Sequence, residues 1–375
     1  MKLTTTVGEI LGIIDSVWET TDVKLSTISS KVLLKGVHKA DGSWLYVFAS
    51  DYSSQALGKL EVDLDESFTY VVDPDDLTKG IRTLHQETAV TITVDKKMSK
   101  IKAGPVQYKL ALSTDTAGHI TSLDKIKQLP ESSKKVRPLS LLAGFKAALF
   151  AVSKDKTSYG SIRNMDVSAR DGQVNFTASD RNCGAAIVVD APLVKEPFNF
   201  SMSREQIHVF MRLLTMNPAG EIEVHTEGSG PMFFKFHDLL FGCGKDNQKL
   251  PDIKKLIDSF PIHSSGKVDV KIFKETLRRA ALFTDSASFN HGISLNVTKD
   301  SLTVSTKSFE EKIAGTFTEE ASVIVRKDYL LDCLGSCSGK EIELAFPDKG
   351  KALIIKDKVE DDVTLSASYI LPGSN

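Results

Sequence analysis

DPDDLTKGIRTLHQETAVTITVDKKMSKIKAG, residues 73–104, contains the unit from which the whole chain is built. Asp73 before Pro74 is a helix start: an aspartate side chain caps the free N–H groups of a first turn, and proline has no N–H to lose there. Asp75 and Asp76 then place negative charge at a helix N-terminus, which explains DPDD better than a catalytic carboxylate pair does. Downstream, TAVTITV and KMSKIKAG alternate apolar and polar residues with the period of two that half-buried strands require. The stretch predicts a helix followed by an antiparallel hairpin.

The same unit recurs. Helical periodicity begins near Val7 (VGEILGIIDSVWE), Pro74 (PDDLTKGIRTLHQ), Pro138 (PLSLLAGFKAALFAV), Arg204 (REQIHVFMRLLT), Lys271 (KIFKETLRRAALF) and Lys327 (KDYLLDCLGSC), in steps of 67, 64, 66, 67 and 56 residues. Ser203 and Gln206 form a capping box at the fourth start. Hairpin patterns follow the second, fourth and sixth helices: TAVTITV with KMSKIKAG, GEIEVHTEG with PMFFKF, and KEIELAF with KALIIK. Six units therefore pair into three larger ones, each with two helices packed on antiparallel strands, an α+β class. The polar, proline-bracketed QLPESSKKVRP (128–138) and FPIHSSGK (260–267) read as linkers and place domains at 1–129, 130–263 and 264–375.

At 375 residues the chain exceeds one ordinary core, and its 41% hydrophobic and 26% charged residues are those of a globular protein. With 47 Lys and Arg against 49 Asp and Glu, no overall basic excess advertises nucleic acid; such a partner would need locally sorted charge. No apolar run has bilayer length and MKLTTTVGEILGIIDSVW lacks a signal-peptide pattern, so a cytoplasmic protein with no membrane partner is expected. Cys183, Cys243, Cys333 and Cys337 form no CxxC pair and read as reduced thiols.

Catalytic and metal motifs are not found in this sequence, and no cofactor is expected. GSCSG (335–339) mimics a nucleophile elbow, but an elbow needs strand before and helix after, and here YLLDCL is helical while KEIELAF is extended. It reads as a helix ending. On the helix at 271–283, Lys271, Lys274 and Arg278 share one arc, while Phe273, Thr276, Leu277 and Ala280 share the opposite one. Lys146, Lys154, Lys156, Arg163, Arg204 and Arg212 lie on or near the third and fourth helices, so the helices of the second and third domains are slightly basic.

With three tandem domains of paired helix-and-strand units in view, the chain resembles the bacterial DNA polymerase III beta subunit, the sliding clamp, from MKLTTT to YILPGSN. KLPDIKKLI (249–257) resembles the family's Phe-Pro-Asp-Tyr stretch, and TASDRNCGAAI (177–187) resembles its Thr-Asp-Gly-His-Arg-Leu-Ala segment; YLLDCL and the terminal proline also have counterparts. The resemblance implies a homodimeric, head-to-tail ring around double-stranded DNA, with helices lining the hole. It further implies a non-catalytic processivity factor, opened by a clamp loader and tethering the replicative DNA polymerase. A peptide pocket between domains two and three is implied at Ile162, Ser179, Arg181, Asn182, Pro251, Leu256, Tyr329, Leu371 and Pro372. Helix faces and family position together give a DNA-facing set of Lys24, Lys146, Lys154, Lys156, Tyr159, Arg163, Arg204, Arg212, Lys271, Lys274 and Arg278. Ring closure is implied at Leu110 and Leu112 of KLALST on one side, and at Leu282 and Phe283 of ALF on the other. RNCG (181–184) stands where the family has Gly-His-Arg-Leu, and the tail is short; both leave the peptide preference open, along with a bacterial or phage origin. The alternative from another class is a multidomain hydrolase with its site between domains; a repeat adhesin would carry a secretion signal.

Overall fold

The computed structural model describes residues 1–18, 31–50, 54–95, 98–113, 134–155, 160–226, 231–244, 250–284 and 292–373. The expectations for Lys24, Lys156 and Tyr159, and for most of QLPESSKKVRP, lie outside them. In chain order one pattern occurs three times: a strand, a helix, four or five strands, a helix, three strands. The six helices of this repeat are α1 (Val7–Trp18), α2 (Pro74–Thr78), α3 (Pro138–Ala148), α4 (Arg204–Met216), α6 (Val270–Ala281) and α7 (Lys327–Ser336). A short helix, α5 (Ile253–Asp258), lies between the second and third repeats.

Local chemistry sets the helix starts. Asp73 accepts from the N–H groups of Asp75 and Asp76, and Asp269 accepts from Ile272. Ser203 and Gln206 bond reciprocally, at 2.9 and 3.3 Å. Glu9 accepts from the Thr6 N–H and hydroxyl and from the Thr5 hydroxyl, fixing the start of α1.

The second helix is shorter than its periodicity predicts. The Tyr108 hydroxyl donates to the Leu77 carbonyl, the acceptor that Ile81 would use in an α-helix, and the Ile81 N–H turns to Thr78 instead. Gly80 lets the Tyr108 ring approach; a Cβ there would lie 2.5 Å from the ring.

By packing, the chain forms two compact units that each draw on separate stretches. The first contains Met1–Lys135, His208–Asn217 and Glu221–Lys245. Its five-stranded sheet runs Asp63–Leu64, Lys2–Thr6, Ala89–Asp95, Met98–Ala103, Val106–Ala111. Its eight-stranded sheet joins Lys135–Val136, Ile222–Thr226, Met232–Lys235 and Leu239–Cys243 to Ser54–Glu61, Gly42–Ser50, Val32–Lys39 and Phe68–Val72. α1 lies on the central strands, where Gly58 gives Ile13 room: a Cβ on it would fall 2.5 Å from Ile13. Phe210 of α4 packs against Phe234 and Phe241, with ring centres 4.4 and 5.3 Å away.

The second unit contains Val136–Ile207, Pro218–Gly220 and Asp246–Asn375. Its nine-stranded sheet runs Phe198–Ser203, Asn164–Arg170, Gln173–Ser179, Gly184–Asp190, Leu365–Pro372, Ala352–Val359, Glu341–Pro347, Ile262–Asp269, Thr316–Phe317. The seam between the second and third repeats is the antiparallel pair Gly184–Asp190 and Leu365–Pro372. A four-stranded sheet of Phe309–Ala314, Ser301–Thr306, Gly292–Thr298 and Ala321–Arg326 completes the unit. α3 lies on the nine-stranded sheet with Phe145 set edge-on to Phe176 at 5.2 Å.

One linker reading is corrected. Most of FPIHSSGK is strand, paired with Glu341–Pro347 and Thr316–Phe317. Its polar look comes from residues with partners: the Ser264 hydroxyl donates to the Glu319 carbonyl, and the Ser265 N–H to the Thr318 hydroxyl. Gly266 admits the neighbouring strand; a Cβ would lie 2.1 Å from the Thr316 oxygen.

Candidate functional site

The seam in the second unit gathers most of the pocket residues implied by the resemblance. Pro251 and Asp252 lead into α5, where the Asp252 carboxylate accepts from the Lys255 N–H at 2.9 Å and caps the first turn. Ile253 and Ile257 point inward onto Ala186, Ala345, Ala352, Ile354 and Ile370, so the helix staples both sides of the seam. Leu256 faces outward and is 44% exposed. Gly184 explains one departure from the family pattern: a Cβ there would lie 2.9 Å from Ile253, which already fills the space.

The turn Asp180–Cys183 joins two strands that α5 packs on, Gln173–Ser179 and Gly184–Asp190, and is organised by one carboxylate. Asp180 accepts from the N–H groups of Asn182 and Cys183 at 2.8 and 2.9 Å, and from the Cys183 thiol at 3.3 Å. Its other oxygen accepts from the Tyr329 hydroxyl of α7 at 3.0 Å, which ties the second repeat to the third. Burial first, then the Asp180 charge and hydrogen bond, push the Tyr329 pKa up to about 12. Arg326 stacks over the Tyr329 ring at 4.8 Å. Arg181 and Asn182 are exposed, and Arg181 has a backbone φ of +77°. Ile162, Ser179 and Tyr329 are half-buried and Pro372 is exposed. Leu371 departs from the expectation: it is fully buried in the sheet core, so it supports Pro372 from beneath and offers no surface of its own.

The basic residues divide by whether a protein partner already holds them. Lys154 pairs with Asp332 at 2.5 Å and Arg163 with Glu205 at 3.2 Å. The Arg204 guanidinium donates to the carbonyls of Leu149 and Val152, at 2.8 and 2.7 Å, and so ties down the turn after α3. Lys274 donates to the Cys337 carbonyl at 2.8 Å and satisfies the end of α7. Arg204 and Lys274 thus each have a structural role within the protein. Arg212 is exposed and makes protein interactions. Among the described residues Lys146, Lys271 and Arg278 are exposed and without an ion-pair partner.

Residues 262–372 match the family model for the DNA polymerase III beta subunit, C-terminal domain. Among solved structures, the DNA polymerase III subunit beta from Pseudomonas aeruginosa matches with a TM-score of 0.84 at 18% identity, covering 100% of both chains. The DNA polymerase III beta subunit from Thermotoga maritima gives 0.83 at 16%, and the DNA polymerase sliding clamp from Bacillus subtilis 0.83 at 17%, each covering 100% of this chain and 99% of the other. The chain has the sliding-clamp fold from end to end. No curated protein matches it in sequence.

Two of the four expected closure residues are buried. Leu110 and Leu112 are 6% and 9% exposed and face the core of the first unit. On the edge strand Val106–Ala111 it is Gln107, Lys109 and Ala111 that face solvent. Leu282 and Phe283, at the end of α6, are 81% and 50% exposed, and the Phe283 ring stacks on Phe309 at 5.4 Å. Sequence reasoning overlooked two residues of the seam. Asp180 was detectable as an aspartate opening a turn, since its side chain bonds two and three residues ahead; Arg326 had no local signal.

The thiols give no support to a hydrolase. All four cysteines are buried, and burial pushes the Cys243 pKa up to about 12 and raises those of Cys183 and Cys333. GSCSG is the end of α7: the buried Asp357 carboxylate accepts from Ser338 and Gly339, at 2.8 and 3.1 Å.

Proposed function

We propose that this protein is a DNA polymerase processivity factor, a non-catalytic subunit whose two copies close into a ring on double-stranded DNA. The observation that carries this reading is the sliding-clamp fold over the full chain, with the family match at residues 262–372. A closed ring leaves DNA only by opening or by reaching an end, so weak, sequence-blind attraction to phosphates suffices and sliding stays free. A near-neutral chain, formally −2, with exposed cations such as Lys146, Lys271 and Arg278 suits that demand better than a uniformly basic protein.

The surface around Leu256, Pro372, Tyr329 and the Asp180–Cys183 turn is the docking pocket for a short peptide of the replicative polymerase and of the clamp loader. Its apolar wall is Leu256 and Pro372, its polar end the turn. The three clamp domains are 1–129, 130–263 and 264–375. No described helix is long and apolar enough to cross a membrane, and the reading places the protein in the cytoplasm with its DNA. The test is topological: protein loaded on circular duplex should stay through gel filtration and leave once the circle is cut. Equal retention on both forms would reject the ring.

A further inference from the structure

Arg181 belongs to the turn at the polar end of the proposed pocket. Its φ of +77° lies in the left-handed region, where an L side chain is strained and glycine or asparagine sits more easily. The turn does not need arginine for its own bonds: Asp180 organises it through the Asn182 and Cys183 N–H groups, and the Arg181 N–H donates to the Ser179 hydroxyl at 3.2 Å, as any residue's would. The side chain is exposed, and no described carboxylate pairs with it. What the strained position retains is a cation in water, one residue from Asp180.

A second cation lies over Tyr329, the partner of Asp180. Arg326 is exposed, stacks on Tyr329 and has no carboxylate partner among the described residues. Asp180 is not an ion-pair partner of either arginine: its two oxygens accept from two N–H groups, a thiol and the Tyr329 hydroxyl. The nearby Asp332 is engaged by Lys154. One exposed arginine thus adjoins each partner of the Asp180–Tyr329 bond, Arg181 next to Asp180 in the chain and Arg326 over the Tyr329 ring, and a carboxylate is the group a planar guanidinium fork recognises best.

Resting on the pocket reading above, we propose that Arg181, with Arg326, selects docking peptides that carry an aspartate or glutamate beside their apolar anchor. Random dodecapeptides displayed on phage would be selected on the full-length protein and on Arg181→Gly. One peptide from the first pool, and its Asn or Gln isostere, would then be measured by fluorescence anisotropy at low and high salt.

The expected result is acidic peptides from the wild-type pool only. The isostere should bind the wild type about three- to tenfold more weakly, with no difference on Arg181→Gly. Arg181→Gly should also melt no lower than wild type, so that lost selectivity is not lost folding. Peptides that Leu256→Ser releases, but that bind equally with acid or isostere, would overturn the selectivity and leave the pocket standing. Failure to recover any peptide that Leu256→Ser releases would overturn both.

Discussion

At Arg181 a side chain is held where the backbone resists it, and the resistance can be measured. Strain of a non-glycine residue in the left-handed region is about 1–3 kcal/mol, against about 0.5–1 kcal/mol for the extra unfolded freedom of glycine. Arg181→Gly should therefore raise stability by about 1 kcal/mol, read as a higher urea midpoint at unchanged slope. Tyr329 carries a pH prediction. Its folded-state pKa is raised from 10.0 to about 12, chiefly by burial, so the fold prefers the neutral phenol. The associated stability is complete below pH 10.0 and is lost as pH rises towards about 12. Urea midpoints over that range should fall less steeply in Tyr329→Phe, leaving the share that belongs to Tyr108, whose pKa burial also raises to about 12, and to Tyr369 and the thiols of Cys183, Cys243 and Cys333, which burial raises as well. An unchanged slope would mean that the phenol is not held neutral by the fold.

At the scale of elements, α5 and α6 divide their residues between support and contact. Ile257 is 3% exposed and pinned on the seam, so Ile257→Ala should cost about 2–5 kcal/mol, measured by denaturant unfolding. On α6, Lys271 and Arg278 are exposed while Lys274 holds the end of α7. Replacing Lys271 and Arg278 by alanine should reduce the slope of log affinity against log salt on short linear duplex by about 0.9 per lost phosphate contact. Lys274→Met should instead lower the melting temperature and leave that slope unchanged. Helix starts were legible because Asp73, Ser203 with Gln206, and the prolines at 74 and 138 act on neighbouring residues. The early end of α2 was not, because Tyr108, thirty-one residues away, takes the carbonyl that the next turn needs. The same limit applied to Lys274 and Arg204: a helix-face count shows their charge but not the distant carbonyls that hold it.

For the whole molecule, the proposed ring predicts that Leu282, an exposed leucine, is covered by a second copy. Leu282→Lys should give a folded monomer by gel filtration, with normal circular dichroism and no retention on circular DNA. A dimer in that variant would place the contact elsewhere. The threefold order of helices and hairpins was legible from spacing alone, since each unit writes its own period into the chain. Which strands meet across units was not, because pairing such as Gly184–Asp190 with Leu365–Pro372 joins residues far apart in sequence. For the same reason Leu110 and Leu112 passed as surface: alternation gives two faces to a strand without saying which is inside. The middle third of the chain owns no complete sheet. Its first strands end at Gly184–Asp190, hydrogen-bonded to the last strand of the protein, and its last, Leu239–Cys243, is bonded to Ser54–Glu61. Cut out as a fragment of residues 130–263, it would present two raw, apolar borders to other chains and clump with them, so this protein is not a string of separable beads.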